Sequence, residues 1–277
     1  MLEESTERAD AVVAKRQPRI THRTLEQFLK TMDTTPEVID EEGQQTNMVL
    51  TPTQQCSETH NTKLPTNASR MVIKPTWYVY GNALNTEKFE DCLYDQSAGG
   101  IIVDHFEPLV NEPDLFQLSS GGRRILETPN AGGNSVWSEV LSYEVLHQVF
   151  GAELKNTETE IQYVPGSKIT DYSVMFDDHH IGVSVVRIIN FFDLMGKKYK
   201  AVFTPEYAKQ LLYKKLFGVL ASSEAVIDKW EKQILHIWTT SSSTADIIVQ
   251  EYWKIPKRLR ANTLVYVTHA TNSEWLF

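Results

Sequence analysis

Cysteine is nearly missing from this chain. Cys56 and Cys92 are the two examples in 277 residues, too few for a disulfide framework or a zinc knuckle. Long apolar runs are missing too: nothing approaches the roughly 20 consecutive apolar residues of a spanning helix. A membrane partner is therefore not expected. The opening stretch, MLEESTERADAVVAKRQPR, is charged throughout and lacks the apolar core of a signal peptide. Nucleotide and protease signatures are absent as well. GKKYK, at 196–200, has neither the glycine spacing nor the following hydroxyl residue of a phosphate-binding loop. No dinucleotide fingerprint, HExxH helix or nucleophile elbow occurs. These absences predict an intracellular protein without those chemistries.

What is present is ordinary for a soluble globular chain: 41% apolar and 23% charged residues. The net charge of −9 is unevenly spread. Residues 1–134 carry 20 acids and 12 bases, whereas residues 135–277 carry 16 acids and 15 bases. The acidic character thus belongs to the front half, and the near-neutral back half leaves a nucleic-acid partner open. Residues 31–69 are rich in Thr, Gln, Asn, Glu and Pro without an apolar period, too polar to offset the entropy of ordering. The pattern gives a largely flexible acidic tail over 1–70, a place where a protein partner could attach. A small α/β segment follows over 71–134, and a core domain over 135–277, the break falling at NAGGNS.

Within 135–277 the periods are clearer. SVWSEVLSYEVLHQVFGAEL has helix length and apolar residues almost all round, which implies burial on several sides. TEIQYVP predicts a strand. SKITDYSVMF and IGVSVVRIINFF predict two more, joined by DDHH as a polar turn. Thr204 and Pro205 open an amphipathic helix. SEAVIDKWEKQILHIW and STADIIVQEYWKI predict further helices, the second stopped by Pro256, and ANTLVYVTHAT a last strand. An acid in the first strand of the hairpin, Asp171, and a base in the second, Arg187, stand among apolar neighbours. A charge so placed is costly unless paired, exposed or used.

The succession of helix, three strands, helix and strand resembles the αβββαβ core of the PD-(D/E)XK nuclease superfamily, the restriction-endonuclease-like proteins. The residues that carry the resemblance are a glutamate in SEVLSYE, the aspartate of KITDY and the cation ending GVSVVR. It covers roughly residues 135–270. The resemblance implies an α/β fold with extra helices and metal-dependent hydrolysis of DNA or RNA. Asp171 would be the main ligand of Mg (or Mn), Glu139 a second ligand, and Arg187 would take the place of the superfamily's lysine. Across a hairpin centred near His179, Asp171 and Arg187 would sit opposite one another.

Two departures stand out. Val185 occupies the position where the superfamily usually has an acid, and an arginine cannot serve as a base, only as a phosphate clamp. A non-catalytic relic of the fold, acting as an interaction module in a larger assembly, is the alternative. Asp171 and Arg187 would then be a structural ion pair that sets hairpin register. Glu144 reads as a solvated helix position and DDHH as a plain turn. Lys197, Lys198, Lys200, Lys214 and Lys215, interleaved with tyrosines, form a candidate nucleic-acid-binding patch or the solvated face of a helix. His269 could project toward the same end of the sheet.

Overall fold

The computed structural model describes residues 70–129, 136–188 and 203–277. The tail over 1–69 and Lys197, Lys198 and Lys200 lie outside the described residues. What is described falls within one compact unit.

The sheet has eight strands in the order β1-β2-β3-β8-β7-β6-β5-β4. They are β1 (Arg70–Ile73), β2 (Trp77–Gly81), β3 (Gly100–Pro108), β4 (Glu153–Thr157), β5 (Tyr172–Phe176), β6 (His179–Arg187), β7 (Lys232–Thr239) and β8 (Thr263–Ala270). The helices are α1 (Leu84–Tyr94), α2 (Ser120–Glu127), α3 (Val136–Phe150), α4 (Pro205–Ala225), α5 (Ser242–Lys254) and the short α6 (Lys257–Arg260). The fold is α/β on a mixed sheet. Its middle is parallel, with β3, β8, β7 and β6 side by side, and both flanks are antiparallel. Residues 71–134 therefore share one sheet with 135–277, since β3 pairs with β8.

Parallel strands are covered on both faces and read as continuous apolar runs rather than alternating ones. Every residue of β7 is buried, and all but His269 of β8. On one face lies α3, in which nine consecutive residues from Ser138 to Leu146 are buried. That is the all-round burial its sequence implies. Helix α4 begins as expected, with Pro205 in its first turn and the Thr204 hydroxyl accepting the Tyr207 N–H at 3.2 Å.

Three sequence expectations need correction. The helix expected over 223–238 is the tail of α4, ending at Ala225, followed by β7. The strand expected at TEIQYVP lies earlier, at β4, and residues 158–160 form a single 3₁₀ turn. Helix α3 stops at Phe150 because Gly151 takes φ +79°, a conformation that suits glycine at a helix end. The resulting order is α3, the antiparallel meander β4-β5-β6, α4, then β7 parallel to β6.

Asp104 on β3 ties the front of the chain to this core. Its fully buried carboxylate accepts hydrogen bonds from Arg70, from Asn85 Nδ2 at 2.7 Å and from Tyr266 Oη at 2.8 Å. Arg70 also lies over the Phe150 ring, 5.1 Å from its centroid. Removing one member of such a cluster strands the others without a partner in a low-dielectric interior. Asp104→Ala is expected to lower stability by about 3–5 kcal/mol, read as a shift of the urea midpoint at unchanged slope.

Candidate active site

The hairpin β5-β6 sets the geometry. Its turn is Asp177–Asp178, with Asp177 at φ +48°, and Phe176 pairs with His179. The polar turn expected over 177–180 is thus shorter, and His179 and His180 belong to β6. The true centre lies ahead of His179, so Asp171 and Arg187 do not face each other. Tyr172 pairs with Val183, and Asp171 just precedes that pair. The Asp171 N–H donates to Val183 O at 3.2 Å, and its carboxylate accepts the Val185 N–H at 2.7 Å. The residue in the expected acid position therefore serves Asp171 through its backbone.

No ion pair joins Asp171 to Arg187 among the described residues, which removes the register-setting pair. The Arg187 guanidinium instead donates through Nη1 to Leu276 O at 3.0 Å. Burial lowers the Arg187 pKa, and the neighbouring charge of Glu139 opposes that. Glu139 itself is buried in the first turns of α3. The Ser138 carbonyl beside it accepts the Trp238 Nε1–H at 3.1 Å, which fixes this end of α3 over the carboxyl end of β7.

Asp171 is the most perturbed acid of the group. Burial of its carboxyl raises the pKa to about 7, and the negative charge of Glu139 adds to the rise. The Val185 N–H and the charge of Lys215 pull the other way. Lys215 is half-buried on α4, its own pKa lowered by burial and raised by Asp171. Lys215 is thus half-withdrawn from solvent and feels the charge of Asp171, while Lys214 is exposed. That the charge of a lysine on α4 would bear on an aspartate ahead of β5 had no signal in sequence spacing.

Glu139, Asp171, Arg187 and Lys215 are accordingly linked by their charges at one end of the sheet, at the carboxyl end of β6. Crevices outside the carboxyl ends of parallel strands are common ligand sites in α/β sheets. Among the described residues no group of three or more His, Cys, Asp and Glu is arranged to hold a metal ion. The donor set on offer is the pair Glu139 and Asp171.

The other candidates separate. Glu144 is 1% exposed, not solvated: its Oε1 accepts from Ser119 N at 2.7 Å and Ser119 Oγ at 2.8 Å. A side chain at Gly122 would meet that carboxylate at 2.1 Å, so Glu144 braces the start of α2. His269 sits on β8 with Nδ1 3.1 Å from His105 Nδ1 and Nε2 3.2 Å from Thr240 O. Arg260, in the basic KIPKRLR stretch, lies over Tyr252 and Trp253, 5.1 and 5.0 Å from their ring centroids.

The raised Asp171 pKa has a defined sign. In the unfolded chain this carboxyl ionises near pH 4, and in the folded protein at about 7. Its contribution to stability is whole below the unfolded value and is lost as pH rises through the folded one. Asp171→Asn keeps an acceptor for Val185 and is expected to raise Tm above wild type at about pH 8, with the advantage gone at about pH 4. Thermal denaturation across that range checks it.

Comparison with curated proteins finds the AAC-rich mRNA clone AAC4 protein of Dictyostelium discoideum, 65% identical over 266 residues. The match takes in 96% of this chain and 38% of that protein, so the chain spans well under half of its relative's length. That name describes a clone and states no activity. No family profile matches the chain, and no solved structure matches it.

Proposed function

We propose that residues 135–277 form a restriction-endonuclease-like core whose PD-(D/E)XK-like site hydrolyses phosphodiester bonds in DNA or RNA with a divalent metal. The observation that carries this reading is the Asp171 carboxylate held at 2.7 Å by the Val185 N–H near the carboxyl end of β6, with the charges of buried Glu139 on α3 and of Lys215 on α4 acting on it. The order α3, β4-β5-β6, α4, β7 supports it, with β7 parallel to β6.

Magnesium and manganese take hard oxygen ligands, and magnesium keeps several waters, so two carboxylates suffice. Glu139 and Asp171 fit that chemistry: Glu139 is buried and Asp171 half-buried, and the charge of Glu139 adds to the burial that raises the Asp171 pKa to about 7. These two residues would hold the ion, which supplies an acidified water and neutralises charge on the phosphate. The charge of Lys215 favours the ionised Asp171 that such binding requires. The Val185 N–H holds the Asp171 carboxylate in place. Arg187, always protonated, stabilises charge on the phosphate oxygens as a fixed donor.

A second reading has its own support. A relic of this fold, kept as an interaction module, accounts for Val185 in the acid position and for the Arg187 donor spent on Leu276 O. A chain matching 38% of a longer relative suits a module within an assembly.

The full chain, incubated with labelled DNA and RNA and with Mg or Mn, separates the two. The nuclease reading expects cleavage that a chelator stops and that Asp171→Ala abolishes while Tm stays near wild type. Arg187→Ala is expected to lower kcat by about 10²–10³. Intact substrates together with no heat of Mg or Mn binding by calorimetry would establish the relic.

A further inference from the structure

A cavity of about 270 Å³ opens on the α4 side of the sheet, between the loop after β4 and the loop before β7. The backbone zips these loops together: Val164 N–H donates to Ala225 O, and Ile227 N–H to Gln162 O. His180 and Trp230, 7% and 8% exposed, line it together with Asn156, Gln162, Ser173 and Asp228. Trp230 lies against the sheet because Gly182 has no side chain there; a Cβ at Gly182 would come within 2.7 Å of the indole.

The protonation pattern is fixed by geometry. A β-bulge between Leu154 and Asn156 turns Lys155 toward His180, placing Nζ 3.2 Å from Nδ1. An ammonium only donates, so His180 Nδ1 accepts, and the neutral ring carries its proton on Nε2. Burial, and the Lys155 charge after it, lower the His180 pKa and keep the ring neutral. Among the described residues that buried Nε2–H has no close hydrogen-bond partner, the backbone of Lys229 being the nearest group that favours its proton, and native interiors rarely leave such a donor unsatisfied. Opposite it, Ser173 Oγ donates to Asn156 Oδ1 at 3.2 Å, which turns the Asn156 amide so that its NH₂ is a donor.

Charge narrows the ligand. The charges at the cavity are matched, Lys155 with Asp228 at 2.8 Å and Glu160 with Arg124, so no unpaired cation is offered to a phosphate. A cation would meet the His180 Nε2–H. A neutral flat ring with acceptor atoms suits the His180 and Asn156 donors, the Gln162 amide and the Trp230 indole. The volume is below the roughly 300–1,000 Å³ of drug-sized sites. Ser173, the second residue of β5, is two residues beyond Asp171, about 7 Å of extended chain, or one or two nucleotide steps along a strand.

We propose that this cavity is a nucleobase subsite, taking one base of a nucleic acid whose backbone passes Asp171. Its place beside a scissile phosphate rests on the nuclease reading above; its affinity for a base does not.

Free nucleosides carry no phosphodiester, so their binding tests the subsite separately from cleavage. Adenosine, guanosine, cytidine and uridine are titrated into the full chain, following tryptophan fluorescence, with ribose and inorganic phosphate as controls. Saturable quenching by at least one nucleoside is expected, absent with both controls and lost in Trp230→Phe. Asn156→Ala and His180→Phe, each with near-wild-type Tm, are expected to weaken it about tenfold. No saturable binding at millimolar nucleoside, or equal affinity in wild type and Asn156→Ala, would overturn the subsite. Nucleoside binding without any cleavage would sink only the nuclease reading.

Discussion

Helix α3 is buried on every side, and the rest of the molecule is arranged to satisfy it. A polar atom inside must find a partner or lose the free energy of its contact with water. Ser142 Oγ lies 2.6 Å from Tyr172 Oη and 2.7 Å from His236 Nδ1, and His236 Nε2 lies 2.8 Å from Thr268 Oγ1. Burial pushes the His236 pKa down to about 3, so this chain of groups stays uncharged. Tyr143 and Glu144 press on Gly121 and Gly122 of α2, where no side chain would fit. A network satisfied at each link fixes one arrangement of helix and strands. The place of Glu139 is a consequence of that packing.

The same packing leaves two polar regions on the sheet. At the carboxyl end of β6, the charges of Glu139 on α3 and Lys215 on α4 both act on Asp171. Further along β5 and β6, one bulged residue and one glycine open a cavity whose polar groups point to a neutral ring. Both regions draw on the β5-β6 hairpin.

Much of the architecture was legible in the residues. The Thr204–Pro205 start of α4, the two strands of the β5-β6 hairpin and strand β8 all carry local signals that packing left intact. Strand β7 was not legible, because KQILHIWT is buried on both faces and so lacks the alternation of a half-exposed strand. Its Lys232 is 1% exposed, with Nζ donating to Asp95 O at 2.7 Å and to Ala98 O, partners more than 130 residues away. Glu144 misled for a related reason: its partner is the Ser119 backbone across a helix interface, which no helical spacing reveals. The site was half legible. Asp171 and Glu139 stood out as acids in apolar company, but a two-residue turn at Asp177–Asp178 moved Asp171 away from Arg187.

By itself the sequence determined which stretches are apolar enough to be buried, where α4 starts, and that acids and bases stand among them. Those are local properties, set by side-chain chemistry and by period. Only the tertiary structure decided that the front strands join the same sheet, that the charge of Lys215 bears on Asp171, and that His180 is buried beside Lys155 and Trp230. Each of these depends on contacts between residues far apart in the chain, and burial at such contacts sets both charge state and partner.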